Sequence, residues 1–337
     1  MKTATLRMLV ISACLLGIQT MMPWAAFARI WFVDNNPGNN PDFTSVQAAH
    51  NAASPGDSLY VAGSSQSYAI ATITKQLFIF GPGYFLGENP DTQAEPLSAI
   101  ILGLTFNAGS DGSLVTGCFM QGTITVNTSD ITIKRNRFIV NNVHINIASN
   151  LANVVIIQNF MDDAINATGI NVSSNSQNIL IANNYIQRHA VAQVIISDAT
   201  ASLIVKNNVL NNTLTIHNST FYDNILRGGA FNGTNNDIRN NIGNSTQFGT
   251  GNGNQENVDM NTVFVGTGST DGRWQLAQGS PAIGAGVTGG HIGMYGGTDP
   301  YVLSGIPSIP AIYFFDASVQ GSATSGLPVQ MKVKSRN

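Results

Sequence analysis

The sequence predicts an all-β solenoid built from stacked coils, and three observations predict it. One pattern passes four times through the stretch from Ile131 to Leu210, where Asn136, Asn159, Asn184 and Asn208 stand 23, 25 and 24 residues apart. The same offsets are apolar at every pass. Ile131, Val154, Ile179 and Leu203 lie five residues before the Asn, Ile133, Ile156, Ile181 and Val205 three before, and Phe138, Met161, Ile186 and Leu210 two after. Between them the chain alternates with period two, the signature of a half-buried strand. A repeat of this length means stacked units, each too small to bury its own apolar face. Composition is the third observation. The 337 residues are 10% charged and 43% hydrophobic, with 34 glycines and a surplus of Asn, Ser and Thr. That suits many short strands joined by turns and leaves no material for long charged helices.

Charge narrows the partners. The formal net charge is −3, no block of like charge occurs, and no basic stripe marks a nucleic-acid partner. In chain order, the first 28 residues are expected to be an export leader: Lys2 and Arg7 form a positive n-region, Met8 to Met22 is mostly apolar, and Ala26-Phe27-Ala28 has small residues before the cut. Ile11-Ser12-Ala13-Cys14 also resembles a lipoprotein cleavage box, but the apolar run continues well past Cys14. Without the leader 13 basic residues face 18 acidic ones, a net of −5, and no membrane span remains. Only Cys118 would be left, so no internal disulfide is expected.

From Ile30 to Val61 the order is strand, turn, helix, turn, strand. Ile30 to Val33 is a compact apolar run and Asp34 to Pro41 is turn punctuation. Thr44 and Gln47 read as a T-x-x-Q capping box opening a short helix over 46–53, with Phe43 as its hydrophobic staple. A solenoid end exposes core and unpaired backbone, so a short helix here is expected to cap it.

At these residues the chain resembles a known family. Trp31-Phe32-Val33-Asp34, Thr44 to Ala49 and Pro55-Gly56-Asp57-Ser58-Leu59-Tyr60-Val61 are similar to the start of exported bacterial right-handed parallel β-helix proteins of the pectin-lyase-like superfamily. The Asn-bearing coils resemble the same superfamily, as do Trp274-Gln275-Leu276, Ser280 to Gly286 and Ile292 to Gly297. The resemblance covers about Ile30 to Pro310 and implies a right-handed parallel β-helix of about 7–10 coils, capped by that helix. It leaves activity open, because this fold carries lyases, hydrolases, binding proteins and adhesins.

Ile70 to Gly122 reads as irregular early coils. Gly81-x-Gly83 is read as a pair of turn glycines, since no helix or Lys-Ser/Thr follows to complete a phosphate loop. The Asn column is expected to hold register: Asn tolerates left-handed backbone at a bend, and its amide satisfies turn groups and its stacked neighbours about 4.8 Å away.

The residues after each Asn carry the candidate functions. Offsets one, three and four are expected to face solvent, bringing Phe160 beside Tyr185, Asp162 into the row of Gln187 and Asn211, and Asp163 beside Arg188. A stacked Phe160–Tyr185 pair with Gln187 and Asn211 around it would suit a sugar ring and its hydroxyls. The alternative is packing against a neighbouring loop, with Asp163 and Arg188 in a surface ion pair worth at most about 1 kcal/mol. A catalytic reading takes Asp162 and Asp163 as paired carboxylates and Arg188-His189 one coil on as their assistants. The polygalacturonase branch has a double Asp followed by Gly-His-Gly, preceded by Asn-Thr-Asp and followed by Arg-Ile-Lys, and only the double Asp matches here. A pectate-lyase reading would place Ca2+ among Asp162, Asp163 and Asp198 with Arg188 as the base; otherwise no metal or cofactor is expected. His144 and His217 fall on an outward parity beside Asn146, Asn171 and Thr215, a polar and nearly uncharged face that suits adhesion.

The later coils shorten, with Asn224 and Asn241 following at steps of 16 and 17. Val263-Phe264-Val265 and Ser280 to Gly297 are expected to close the stack, which sets the β-helix domain at 29–300. The tail, 301–337, is expected to add a strand along the solenoid or to serve attachment. The functional expectation is a monomeric, secreted or cell-surface protein, with the periplasm as a further location, that binds polysaccharide on its coil face. A lyase or hydrolase of uronate polymers and a structural adhesin without a glycan ligand are the alternatives.

Overall fold

The computed structural model describes residues 28–162, 167–188, 192–318, 320–321, 324 and 326–335. The expected leader, Asp163 and His189 therefore lie outside the described residues. Among the described residues ten parallel strands form the first sheet, and two further parallel sheets have eight strands each. One coil runs from Val155–Ile157 in the first sheet to Phe160–Asp162 in the second and Ile170–Val172 in the third, and the next repeats it at Ile179–Ala182, Tyr185–Gln187 and Ile195–Ser197. The chain is a right-handed parallel β-helix. Among the described residues no helix is long and apolar enough to cross a membrane.

All twelve apolar positions of the repeat are at most 2% exposed. They stack in register down the interior, Ile133 on Ile156, Ile156 on Ile181 and Ile181 on Val205. Each such side chain contributes about 1.5–3 kcal/mol by leaving water, so the core stabilises the stack only as a column.

The Asn column is a continuous ladder. Asn136 and Asn159 each donate from backbone N and side-chain Nδ2 to the Oδ1 of the next rung, at 2.8–3.2 Å. The pattern continues past Asn208 through Asn224 and Asn241 to Asn254. On the other side Cys118 takes the rung above Asn136, its N–H donating to Asn136 Oδ1 at 3.0 Å. The expectation that the ladder Asn itself adopts the left-handed bend is corrected. The positive φ belongs to the residue before it, as at Arg135, Gln158, Asn183, Asn207, Asp223 and Asn240. The ladder residue supplies the bonds and its predecessor makes the turn.

The helix Val46–Ala52 covers the N-terminal end with Val46 and Ala49 buried in the core. Its N-cap is Ser45, whose hydroxyl accepts from Ala48 N at 3.2 Å, rather than Thr44. Gln47 accepts from Thr72 N at 2.8 Å instead of closing a capping box, tying the helix to the first coils. Gly81 and Gly83 are packing and turn glycines: a Cβ on Gly81 would lie 2.4 Å from Gly117 O, and Gly83 has φ +104°.

The C-terminal third differs from expectation. The last coil strand is Ile242–Gly243, and Val263, Phe264 and the 280–297 segment do not continue the stack. Instead the chain turns back and runs along the outside of the solenoid, held by the left-handed column. Asn240 Nδ2 donates to Ala285 O at 2.9 Å, Asp223 Oδ1 accepts from Val287 N at 2.9 Å, and Asn207 Nδ2 donates to His291 O at 3.1 Å. Asn183 reaches Met294 O and Gly296 O, Gln158 reaches Asp299 O and Pro300 O, and Arg135 reaches Ile306 O. Residues 285–306 thus form a strap across six coils. Its apolar side chains cover the second sheet and make a second core. The tail pairs with itself, Ala311–Ala317 against Val329–Lys334, as an antiparallel hairpin.

Candidate functional site

The outer face of the second sheet carries two parallel rows. The row one residue after each ladder Asn holds Phe160, Tyr185 and Val209, which point away from the coil as the parity predicts. They are nevertheless buried, Phe160 at 0% and Tyr185 at 1% exposure. Phe160 and Tyr185 stack at 4.7 Å and 14°, and Trp274 stacks on Tyr185 at 4.6 Å and 25°. Phe85 meets Phe160 edge-on at 5.3 Å. The expectation of a solvent-open Phe160–Tyr185 sugar platform is therefore corrected, because the C-terminal segment and the 84–88 excursion occupy the ring faces.

The row three residues after each ladder Asn remains half-exposed. Asp162, Gln187, Asn211 and Arg227 occupy it on four successive coils, with Asp162 in register with Gln187 and Gln187 with Asn211. Asn211 Nδ2 donates to Gln187 Oε1 at 3.2 Å and the Tyr185 hydroxyl donates to the same oxygen at 2.7 Å. Arg227 donates to that hydroxyl at 3.2 Å and lies 4.0 Å over the Trp274 ring. Burial pushes the Tyr185 hydroxyl well above its ordinary value despite the Arg227 charge, so it stays a proton donor. Arg137 approaches the Asp162 end, sandwiched over Phe85 at 4.3 Å and Phe119 at 4.6 Å. Burial lowers its guanidinium, and the nearby Asp162 carboxylate opposes that shift. A hollow of about 440 Å³ adjoins the row, lined by Arg188, Asn211, Asn212, Thr213, Gly228 and Gly229.

Arg188 does not face solvent as offset four predicted. It is 4% exposed, its Nε donates to Ala167 O, and its NH1 meets His144 Nε2 at 2.6 Å. A guanidinium only donates, so His144 Nε2 is the acceptor in this contact. His144 is itself fully buried, which corrects its assignment to the outward face. Asp198 lies beyond the third sheet, where its Oδ1 accepts from Thr200, and does not join Asp162. Among the described residues no group of three His, Cys, Asp or Glu side chains is placed to hold a metal. Asp162, Gln187 and Asn211 lie on the half-exposed face that the repeat predicts, and Arg227 and Trp274 join them without having been predicted. Arg227 stands three residues after Asn224, the same offset, where the shortened coils hid it; Trp274 carries no repeat signal.

No protein-family model matches the chain, and no curated protein matches it. Among solved structures, the crystal structure of pectate lyase Pel9A is similar over 79% of this chain and 96% of that chain, with 12% identity and a TM-score of 0.39.

Proposed function

We propose that the protein binds polysaccharide along the outer face of its second sheet. The observation that carries this reading is the in-register row Asp162, Gln187, Asn211 and Arg227. Each coil presents one polar side chain about every 4.8 Å, a repeat comparable to that of sugar units in an extended chain. Amides donate and accept, the carboxylate accepts and the guanidinium donates, which together match the mixed character of sugar hydroxyls. Trp274 sets an aromatic edge beside the row. Ligand binding here requires no catalytic group. An extracellular or outer-surface location for a monomer goes with this reading and rests on the leader-like residues 1–28.

A glycan array followed by calorimetry tests it. A hit weakened at least tenfold by Gln187→Ala and Asn211→Ala, at unchanged melting temperature, supports the reading. An array without hits, or hits indifferent to both variants, overturns it.

A further inference from the structure

The first sheet carries another aromatic column, and this one is open. Phe32, Tyr60 and Phe80 stand in register on its first three strands, Ile30–Val33, Ser58–Val61 and Phe78–Phe80. Their rings meet at 6.0 Å and 80°, then at 5.3 Å and 64°. Among the described residues no element covers them as Phe85 and Trp274 cover Phe160 and Tyr185: Phe32 is 57% exposed, and Tyr60 and Phe80 are half-exposed. They floor a groove of about 330 Å³, walled by Asn39, Asn40 and Pro41 on one side and Pro82, Gln93 and Ile309 on the other.

The walls are fixed before any ligand arrives. Asp34 Oδ1 accepts from Asn36 N at 2.8 Å and from Asn36 Nδ2 at 2.6 Å, and Asn39 Nδ2 donates to Asp34 Oδ2 at 2.5 Å. Gln93 Nε2 donates to Pro82 O at 3.2 Å, and Ala94 N donates to Ile312 O at 2.8 Å, which ties that wall to the C-terminal hairpin. An exposed Phe on the edge strand of a sheet invites association and is normally avoided. Here it stands over a groove whose walls are already fixed by hydrogen bonds.

We infer that this groove is a second binding site, for a neutral glycan segment, separate from the row on the second sheet. Ring faces suit the apolar faces of pyranoses, and Asn39, Asn40 and Gln93 supply amides at the rim for hydroxyls. Among the described residues its lining includes Asp34 and no Lys, Arg or His, so uronates and phosphorylated groups meet repulsion without a counter-charge. The volume lies at the low end of small-ligand sites, which fits a short run of chain. This inference stands whether or not the second-sheet row binds sugar.

Saturation-transfer NMR and calorimetry on the full chain, with cellohexaose, xylohexaose and mannohexaose as neutral probes and trigalacturonate as the acidic one, test it. At least one neutral probe should bind, with Phe32→Ala and Phe80→Leu each weakening it tenfold or more. Phe32→Tyr should retain binding. Phe32 is exposed enough that its loss should not unfold the protein, and equal melting temperatures check this. Failure of all three neutral probes, preference for trigalacturonate, or binding indifferent to Phe32 and Phe80 would each overturn it. If neutral binding is lost on Gln187→Ala and kept on Phe32→Ala, the second-sheet row stands and this groove falls.

Discussion

Asn184 donates to one oxygen twice: its backbone N and its Nδ2 both lie 3.0 Å from Asn208 Oδ1. The same residue accepts two bonds from Asn159 on its own Oδ1, at 2.8 and 3.0 Å, and donates to Ile156 O at 2.9 Å. Five buried bonds thus pass through one side chain and its amide. Asn184→Leu keeps the branching of the side chain but replaces its amide with two bulkier methyls, and it orphans the Asn159 backbone N–H and takes the Asn184 donor from the Ile156 carbonyl. Since each buried unsatisfied group costs about 1–3 kcal/mol, a loss of roughly 3–5 kcal/mol is expected by urea denaturation. A loss below about 1 kcal/mol would remove the ladder from the account of stability.

The ladder and the core columns were legible in the sequence because both follow from local backbone periodicity, as the burial of Ile133, Ile156, Ile181 and Val205 confirms. The strap was not legible. It docks mainly through its own backbone, at Ala285 O, Met294 O and Ile306 O, and a main-chain carbonyl leaves no mark on residue identity. Parity predicted that Phe160 and Tyr185 point off the coil, but not that a segment about ninety residues away covers them. One signal was available: Arg135, Gln158, Asn183, Asn207, Asp223 and Asn240 are all polar, unbranched at Cβ and able to bond a neighbouring chain. The half-exposed row was read correctly as far as the regular coils lasted.

Tyr185 tests whether the aromatic row is packing. Its ring lies between Phe160 and Trp274, and Arg227 holds its hydroxyl. Tyr185→Ala should cost about 3–5 kcal/mol and loosen the C-terminal segment. Intrinsic fluorescence should shift to the red as Trp274 gains water. Unchanged emission with unchanged stability would contradict the stacked arrangement.

Arg188 separates a structural role from a chemical one. Removing its guanidinium leaves Ala167 O and the His144 ring without their donor inside the solenoid corner. Arg188→Ala should therefore destabilise by roughly 1–3 kcal/mol in thermal or urea unfolding. Lys has one donor head and no fork, so Arg188→Lys should recover only part of the loss. A variant of full stability that had lost a ligand or an activity would return Arg188 to the functional residues.

Cys118 occupies a ladder rung with no exposure, and burial pushes its thiol up to about 12. Thiolate is the reactive form, so the native protein at pH 8 should leave Ellman's reagent unreduced by this residue. Unfolding in urea should release it at once. Cys118→Ser should be destabilising, because it places a hydroxyl in the rung between Gly81 and Asn136. Rapid labelling of the folded chain at Cys118 would show that the upper coils open.

Asp57 links pH to the N-terminal end. Burial raises its carboxyl, but bonds from Arg29 N and Ser54 N, the Trp31 indole N–H and the Arg29 charge outweigh that and hold it below its ordinary value. A folded value below the unfolded one, about 3.9 for Asp, means the folded chain favours the ionised form. The resulting stability is fully present above that unfolded value and is lost as pH falls through the folded one. Melting temperature measured from pH 7 down to pH 2 should fall below pH 4, and Asp57→Asn should begin lower at neutral pH and fall less steeply across that acid window. Other carboxylates titrate there too, so the difference between the two curves isolates Asp57. Parallel curves would mean that this carboxylate bears no part in fixing the first strand to the coil below it.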